Sequence, residues 1–211
     1  LAAANERNPN GIANSSDQVG RNMMDHSGFH ARFTANEPLW IGRGTAQSSC
    51  MVGPRDGAFR SEYSATKVIL YNFNQAPQMA KAAIEDGFVG EALNAEIRRR
   101  TTHGVDLSIS LEPLPDPQNR VTLSTTRMDP HGIPCPDVHY DVGDYVRQGY
   151  TVSVEQLRGI ADLFGATDFV ATTSLNANNH IMGGTIMGAD PADSVTNGDC
   201  RAHDHDNLWL P

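Results

Sequence analysis

The sequence predicts an α+β fold, an antiparallel or mixed β-sheet covered on one side by helices. Three observations predict it. Short runs of period-two alternation occupy residues 28–72 and return at 105–141. Two stretches, 76–101 and 143–165, switch to three- and four-residue spacing. Glycine and proline separate most of these runs, as short antiparallel connections require.

The opening LAAANERNPNG reads as the tail of a helix entering a turn, and residues 1–28 are polar and turn-rich throughout. Gly20 suggests a tight turn that feeds Met23 and Met24 inward, and Asp25-His26 reads as a charge pair or a plain structural hydrogen bond. Strands follow at 28–34, 46–52 and 66–72, with Pro38, Gly42, Gly44, Gly53 and Gly57 between them. Pro77 suits a first helical turn, and Met79, Ala83, Val89, Leu93 and Ile97 continue the helical spacing. Gly87 and Gly90 weaken its middle, so a break into two helices is expected. Strands return at 105–112, 120–124 and 136–141. The link PLPDPQN between the first two cannot be helical, because its prolines lack donors and exclude the α region before them. Residues 143–165 form one long helix with Val146, Tyr150, Val154, Leu157, Ala161 and Phe164 on one face and Gly165 as its cap. A strand at 167–173 then leads into the stretch NNHIMGGTIMG, residues 178–188.

Composition narrows the function. With 39% apolar and 19% charged residues over 211 positions the chain is globular. A net charge of −9 argues against nucleic acid as a partner. Arg98-Arg99-Arg100 falls at a helix end, where the dipole favours cations. No run of about 18 apolar residues spans a bilayer. Cys50, Cys135 and Cys200 are widely spaced and define no disulfide framework. Both ends read as cut, which suggests a stretch of a longer polypeptide.

His180 stands out chemically. A polar approach of Asn176, Asn178 and Asn179 precedes it, and Gly183-Gly184 follows, allowing close backbone approach to a flat partner. An imidazole there can exchange a proton near neutral pH. A glycine-rich surface loop with an incidental histidine is the competing explanation. No G-x-G-x-x-G fingerprint, Walker loop or G-x-S-x-G elbow is present, so His180 has no nucleophile in the chain to activate. Proton abstraction from an incoming substrate is its simplest task. A second cluster, Asp199, Cys200, His203, Asp204, His205 and Asp206, contains zinc-ligand types without paired spacing. It reads as a solvated acidic turn, and no metal site is assigned.

Four stretches together resemble the C-terminal half of a glucose–methanol–choline (GMC) oxidoreductase, most closely the bacterial sugar and polyol dehydrogenase branch. They are NGIANSSDQVGRNMMDH (10–26); SLEPLPDPQNRVTLS (110–124) with DPHGIPCPDVHYD (129–141); NNHIMGGTIMG (178–188); and NGDCRAHDHDNLWLP (197–211). The resemblance implies the substrate-binding domain of a GMC flavoenzyme, with the sheet's open side as the roof of the active site. It implies His180 as catalytic base, taking a hydroxyl proton while the carbinol carbon gives hydride to flavin. Gly183 and Gly184 would meet the cofactor, and Asn178 and Asn179 would orient the substrate. The implied substrate is a sugar, sugar acid or polyol; the cofactor is FAD, expected in the full-length protein and absent from the 211 residues alone. Cytochrome and small subunits and a periplasmic, membrane-associated setting are implied in the same way, a cytoplasmic one being the alternative. Residues 1–28 would then be the tail of the FAD domain and the crossing, 29–173 the substrate domain, and 174–211 the return toward the FAD domain. The second catalytic residue of the family would follow Pro211. Trp40, Phe73 and His103 are candidates to line the substrate pocket. The rival readings are a non-catalytic carbohydrate- or subunit-binding module and a metal-dependent enzyme centred on His203 and His205.

Overall fold

A computed structural model describes every residue except Ser48 and Asn74. In chain order the strands and helices are β1 (Ser27–Thr34), β2 (Ser49–Met51), β3 (Thr66–Leu70), α1 (Ala76–Glu85), α2 (Gly90–His103), β4 (Gly104–Leu111), β5 (Arg120–Met128), β6 (Pro134–His139), α3 (Gly143–Leu163), β7 (Val170–Ala171) and β8 (Asn176–Ala177). The chain divides into two compact units. A sheet unit comprises His26–Glu112 and Gly143–Asn178, and a turn-rich unit comprises Leu1–Asp25, Pro113–Val142 and Asn179–Pro211.

The sheet unit holds a six-stranded sheet in the order β2-β3-β4-β1-β7, with β8 also pairing β1. Every pairing is antiparallel. Phe29 lies opposite Ile109, Ala31 opposite Leu107 and Phe33 opposite Val105, so alternate residues build one apolar face. Val68 opposite Ile109 and Leu70 opposite Leu107 extend it. α3 covers this face with buried Val146, Gly149, Ser153, Leu157 and Ala161. The buried stripe departs from the sequence expectation: Gly149 and Ser153 point in, the latter hydrogen-bonded to Thr66 at 2.9 Å, while Tyr150 and Val154 are only half-buried and Phe164 is exposed. Each large side chain so buried contributes about 1.5–3 kcal/mol. Tyr150 meets Phe29 edge-on, with ring centres 4.8 Å apart. The intervening residues, His30, Arg32, Lys67, Ser108 and Ser110, point to the other face.

The expected break between α1 and α2 is real. Gly87 and Gly90 adopt φ of 87° and 60°, conformations that cost other residues. α2 is tied back to the end of α1 by ions. Arg99 and Arg100 both donate to Glu96, at 2.7–2.9 Å, and Arg100 also reaches Asp86 at 2.7 Å. The bonds from Arg99 and then Arg100 hold the Glu96 carboxyl down to about 2, from an ordinary 4.5. A carboxyl lowered by folding stabilises fully above its unfolded value and loses that contribution as pH falls toward the folded one. Glu96→Gln is therefore less stable than wild type above pH 4.5, and the difference shrinks between 4.5 and about 2. Thermal melts of both proteins across that range measure it.

The turn-rich unit has little regular structure. β5 and β6 form a separate two-stranded sheet with an irregularity between Leu123 and Met128. A small core joins Ala13, Val195 and Ala202, packed by Val19, Ile186, Leu208 and Leu210. Buried Asn14 satisfies the turn around it: its amide donates to the Asn10 carbonyl at 2.8 Å, and its Oδ1 accepts from the Val19 N–H at 2.8 Å. The opening residues are turns, not the end of a helix. Asn5 and Asn8 bond one another's backbone there, side-chain acceptors displacing helical pairing. No helix among the described residues is long and apolar enough to cross a membrane.

Candidate active site

The stretch 178–188 is shared between the units. Asn178 closes the sheet unit, just after β8. Its side-chain amide donates to Ser110 Oγ at 2.9 Å. It lies flat on β1 because residue 28 is glycine: a Cβ there would stand 2.3 Å from Asn178 Oδ1.

Asn179 and His180 open the last segment of the turn-rich unit. Asn179 takes a left-handed φ of 58°, which asparagine tolerates better than most residues. Its N–H and that of His180 donate to Asp25 Oδ2 and Oδ1, at 3.0 and 2.9 Å. The Tyr140 hydroxyl in turn accepts from the Asp25 N–H and donates to the Asp25 carbonyl, both at 3.2 Å. Downstream, Met182 and Met24 exchange backbone hydrogen bonds of 2.8 and 2.9 Å. The Gly184 N–H donates to the Arg21 carbonyl, and the Gly184 carbonyl accepts from Gly20 at 2.7 Å. His180 is thus an exposed imidazole on a backbone pinned before and after it.

The glycine pair divides its work. Gly183, with φ 81°, rests on the Asn22 carbonyl; an added Cβ would come within 1.9 Å of that oxygen. Gly184, with φ 79°, has only Met23 Sδ nearby, at 3.5 Å. Beside His180, Ile181 is 65% exposed, and Met182 and Met187 are exposed too. Exposed apolar residues next in sequence to an exposed imidazole offer a surface that a flat ring can cover, with a nitrogen base at its edge.

Asp25 escaped the sequence reading, which paired it with its neighbour His26. Its carboxylate serves backbone 154 and 155 residues away, a separation that leaves no local trace. Of the proposed pocket residues, Phe73 lines a cavity of about 410 Å³ in the sheet unit, together with Arg32, Gln75, Asp106 and Arg100. Trp40 instead stacks under Arg43, 4.0 Å from the ring centre, and His103 Nδ1 bonds the Ala35 carbonyl at 2.8 Å. The histidines near the C-terminal end have structural partners. His203 Nε2 meets Ser194 Oγ at 2.9 Å, and His205 Nε2 accepts from the Ala13 N–H at 3.2 Å. Asp204 accepts from the Ser15 N–H and hydroxyl at 2.9 and 2.5 Å. Among the described residues no three His, Cys, Asp or Glu side chains converge as a metal site.

The mixed helices and antiparallel sheets are consistent with what the comparisons find. Residues 115–211 match the family model described as GMC oxidoreductase, and that segment belongs to the family. It is 52% identical over 210 residues to the fructose dehydrogenase large subunit of Gluconobacter japonicus. That alignment covers all of this chain and 39% of the relative, so the chain spans well under half the length of the curated protein it matches.

Proposed function

We propose that the chain is the substrate-binding and part-catalytic portion of an FAD-dependent dehydrogenase that oxidises a CH–OH group of a sugar, sugar acid or polyol. One observation carries this reading: within the family-matched segment, His180 is exposed while its backbone is fixed on both sides. Fixed geometry is what a general base needs, and a solvated loop does not require it. His180 takes the hydroxyl proton from the substrate. Asn178 and Asn179 orient that hydroxyl. FAD, when bound, supplies the hydride acceptor. The residues present fit part of such a cofactor: Ile181 and Met182 offer exposed apolar cover, and Gly184, unlike Gly183 whose missing side chain faces the Asn22 carbonyl, leaves a ring edge unobstructed. The sequence holds no dinucleotide fingerprint, so the nucleotide half of the cofactor needs residues outside it.

The domain reading follows the same logic, with 29–173 contributing the substrate face and 1–28 and 174–211 belonging with the FAD domain. The relative's name supports a sugar substrate and partner subunits. A cytochrome and a small subunit as those partners, and a periplasmic, membrane-associated setting, rest on the family resemblance.

The test is to express the full-length protein, load it with FAD, and screen ketoses, aldoses, sugar acids and polyols with an artificial electron acceptor. Turnover on at least one class is expected, while the 211 residues alone stay colourless and inactive. A full-length protein that holds FAD and oxidises none of these compounds overturns the reading.

A further inference from the structure

The backbone that carries His180 is shaped by a side chain far away in the sequence, and the geometry there asks for a carboxylate. Asn179 and His180 present two successive N–H groups to Asp25, one to each oxygen, at 3.0 Å to Oδ2 and 2.9 Å to Oδ1. In extended chain, successive N–H groups point opposite ways. The left-handed φ of 58° at Asn179 turns them toward one point, the kind of concavity in which backbone binds an anion. Even asparagine adopts that conformation at some cost, which the two bonds to Asp25 offset. An ionised carboxylate has two oxygens that only accept, so it matches a pair of donors. An amide of the same shape would set its NH₂ against one of them.

Asp25 is itself held. Its N–H donates to the Tyr140 hydroxyl and its carbonyl accepts from that hydroxyl, both at 3.2 Å. One residue earlier, Met24 and Met182 exchange backbone bonds of 2.8 and 2.9 Å. His180 therefore stands between a clamp on its own N–H and a backbone bridge two residues on. Every residue of this arrangement belongs to the turn-rich unit. Releasing the clamp frees the dihedrals on the N-terminal side of the ring, and a base misplaced by about an ångström loses about 10²-fold in rate.

We propose that Asp25 is the positioning residue of His180, its carboxylate fixing through the Asn179 and His180 N–H groups where the imidazole stands, with Tyr140 holding Asp25 in turn. This rests on the reading of His180 as the base. The test is a double-mutant cycle in the full-length, FAD-loaded protein, with rates taken per bound flavin so that lost cofactor or unfolded protein does not count. Asp25→Asn should lower kcat about 10–100-fold with KM within about twofold. In a His180→Ala background the same change should cost less than about twofold, because a residue that acts through the imidazole has nothing left to place. Wild-type kcat in Asp25→Asn, or equal losses in both backgrounds as a merely structural role gives, overturns the proposal. Hydrogen exchange reads the clamp without turnover. The Asn179 and His180 amides should exchange about fivefold faster in Asp25→Asn, the worth of one hydrogen bond, and unchanged exchange overturns the proposal. Should Asp25→Asn not fold, Tyr140→Phe carries the same cycle. It should lose about threefold in kcat alone and nothing further beside His180→Ala, and any other pattern overturns the proposal. Wild-type turnover in His180→Ala defeats the base reading, and the proposal with it. A slow His180→Ala beside a fast Asp25→Asn defeats the proposal alone.

Discussion

His180→Ala in the full-length, flavin-loaded protein is expected to lower kcat by about 10²–10⁴-fold, the usual worth of a positioned general base. KM should change little, because a base that takes a proton in the transition state contributes little to ground-state binding. The fold should tolerate the change. The ring is exposed, and the link to Asp25 runs through the backbone N–H of His180, which alanine keeps. Stability should therefore stay within about 0.5 kcal/mol of wild type, as for most surface substitutions. His180→Gln, which can hydrogen-bond but cannot hold the proton, should lose nearly as much activity. Steady-state kinetics on the preferred sugar measures all of this, and a kcat within tenfold of wild type for both variants removes the base.

The second large effect is on stability. Gly183→Ala places a methyl 1.9 Å from the Asn22 carbonyl oxygen and 2.7 Å from its carbon, at a φ of 81°. The left-handed conformation alone costs an L-residue about 1–2 kcal/mol. The overlap is with backbone, so either Asn22 or the turn must move by about an ångström, and the total should exceed about 3 kcal/mol. Gly184→Ala is the internal control. It shares the conformation, with φ 79°, but its nearest neighbour is the flexible Met23 side chain at 3.5 Å. It should lose only the conformational term. Thermal melts of both variants compare them directly, and equal losses would mean that the Asn22 contact carries no weight. A displaced turn should also disturb the Met24–Met182 bridge beside His180, so Gly183→Ala should lose activity out of proportion to its unfolded fraction.

The elements legible in the sequence are those whose signal is local. β1 and β4 alternate cleanly, α3 keeps its period over 21 residues, and Gly87 and Gly90 mark the break before α2. His180 and its glycines could be singled out because histidine and glycine carry distinctive chemistry wherever they stand. What depends on pairing across the chain was not visible. Nothing in GFHARFT says that β1 sits between β4 and the short strands β7 and β8. The run at 167–173 shortens to Val170–Ala171 because only two of its residues find partners on β1. β5 and β6 alternate like the main strands yet pair only with each other, and alternation does not record which sheet a strand joins. The expected strand at 46–52 contains Ser48, which lies outside the described residues, and its remainder reduces to Ser49–Met51. The same limit hid the support of the candidate site. Asn22 acts through its backbone carbonyl, and Asp25 and Tyr140 through side-chain bonds to backbone far away in the sequence, which residue identity alone does not reveal. Nothing in VDLSISLE marks Asp106 as the carboxylate that the fold buries beside His30.

Anaerobic single-turnover reduction of the bound flavin bears most directly on the role of His180. Wild-type and His180→Ala full-length proteins, each loaded with FAD, would be mixed with saturating sugar while the flavin absorbance is followed. The wild type should bleach rapidly and the variant at least about 100-fold more slowly, with similar sugar affinity in both. Bleaching of the variant at the wild-type rate would contradict the assignment of His180 as the group that takes the substrate proton.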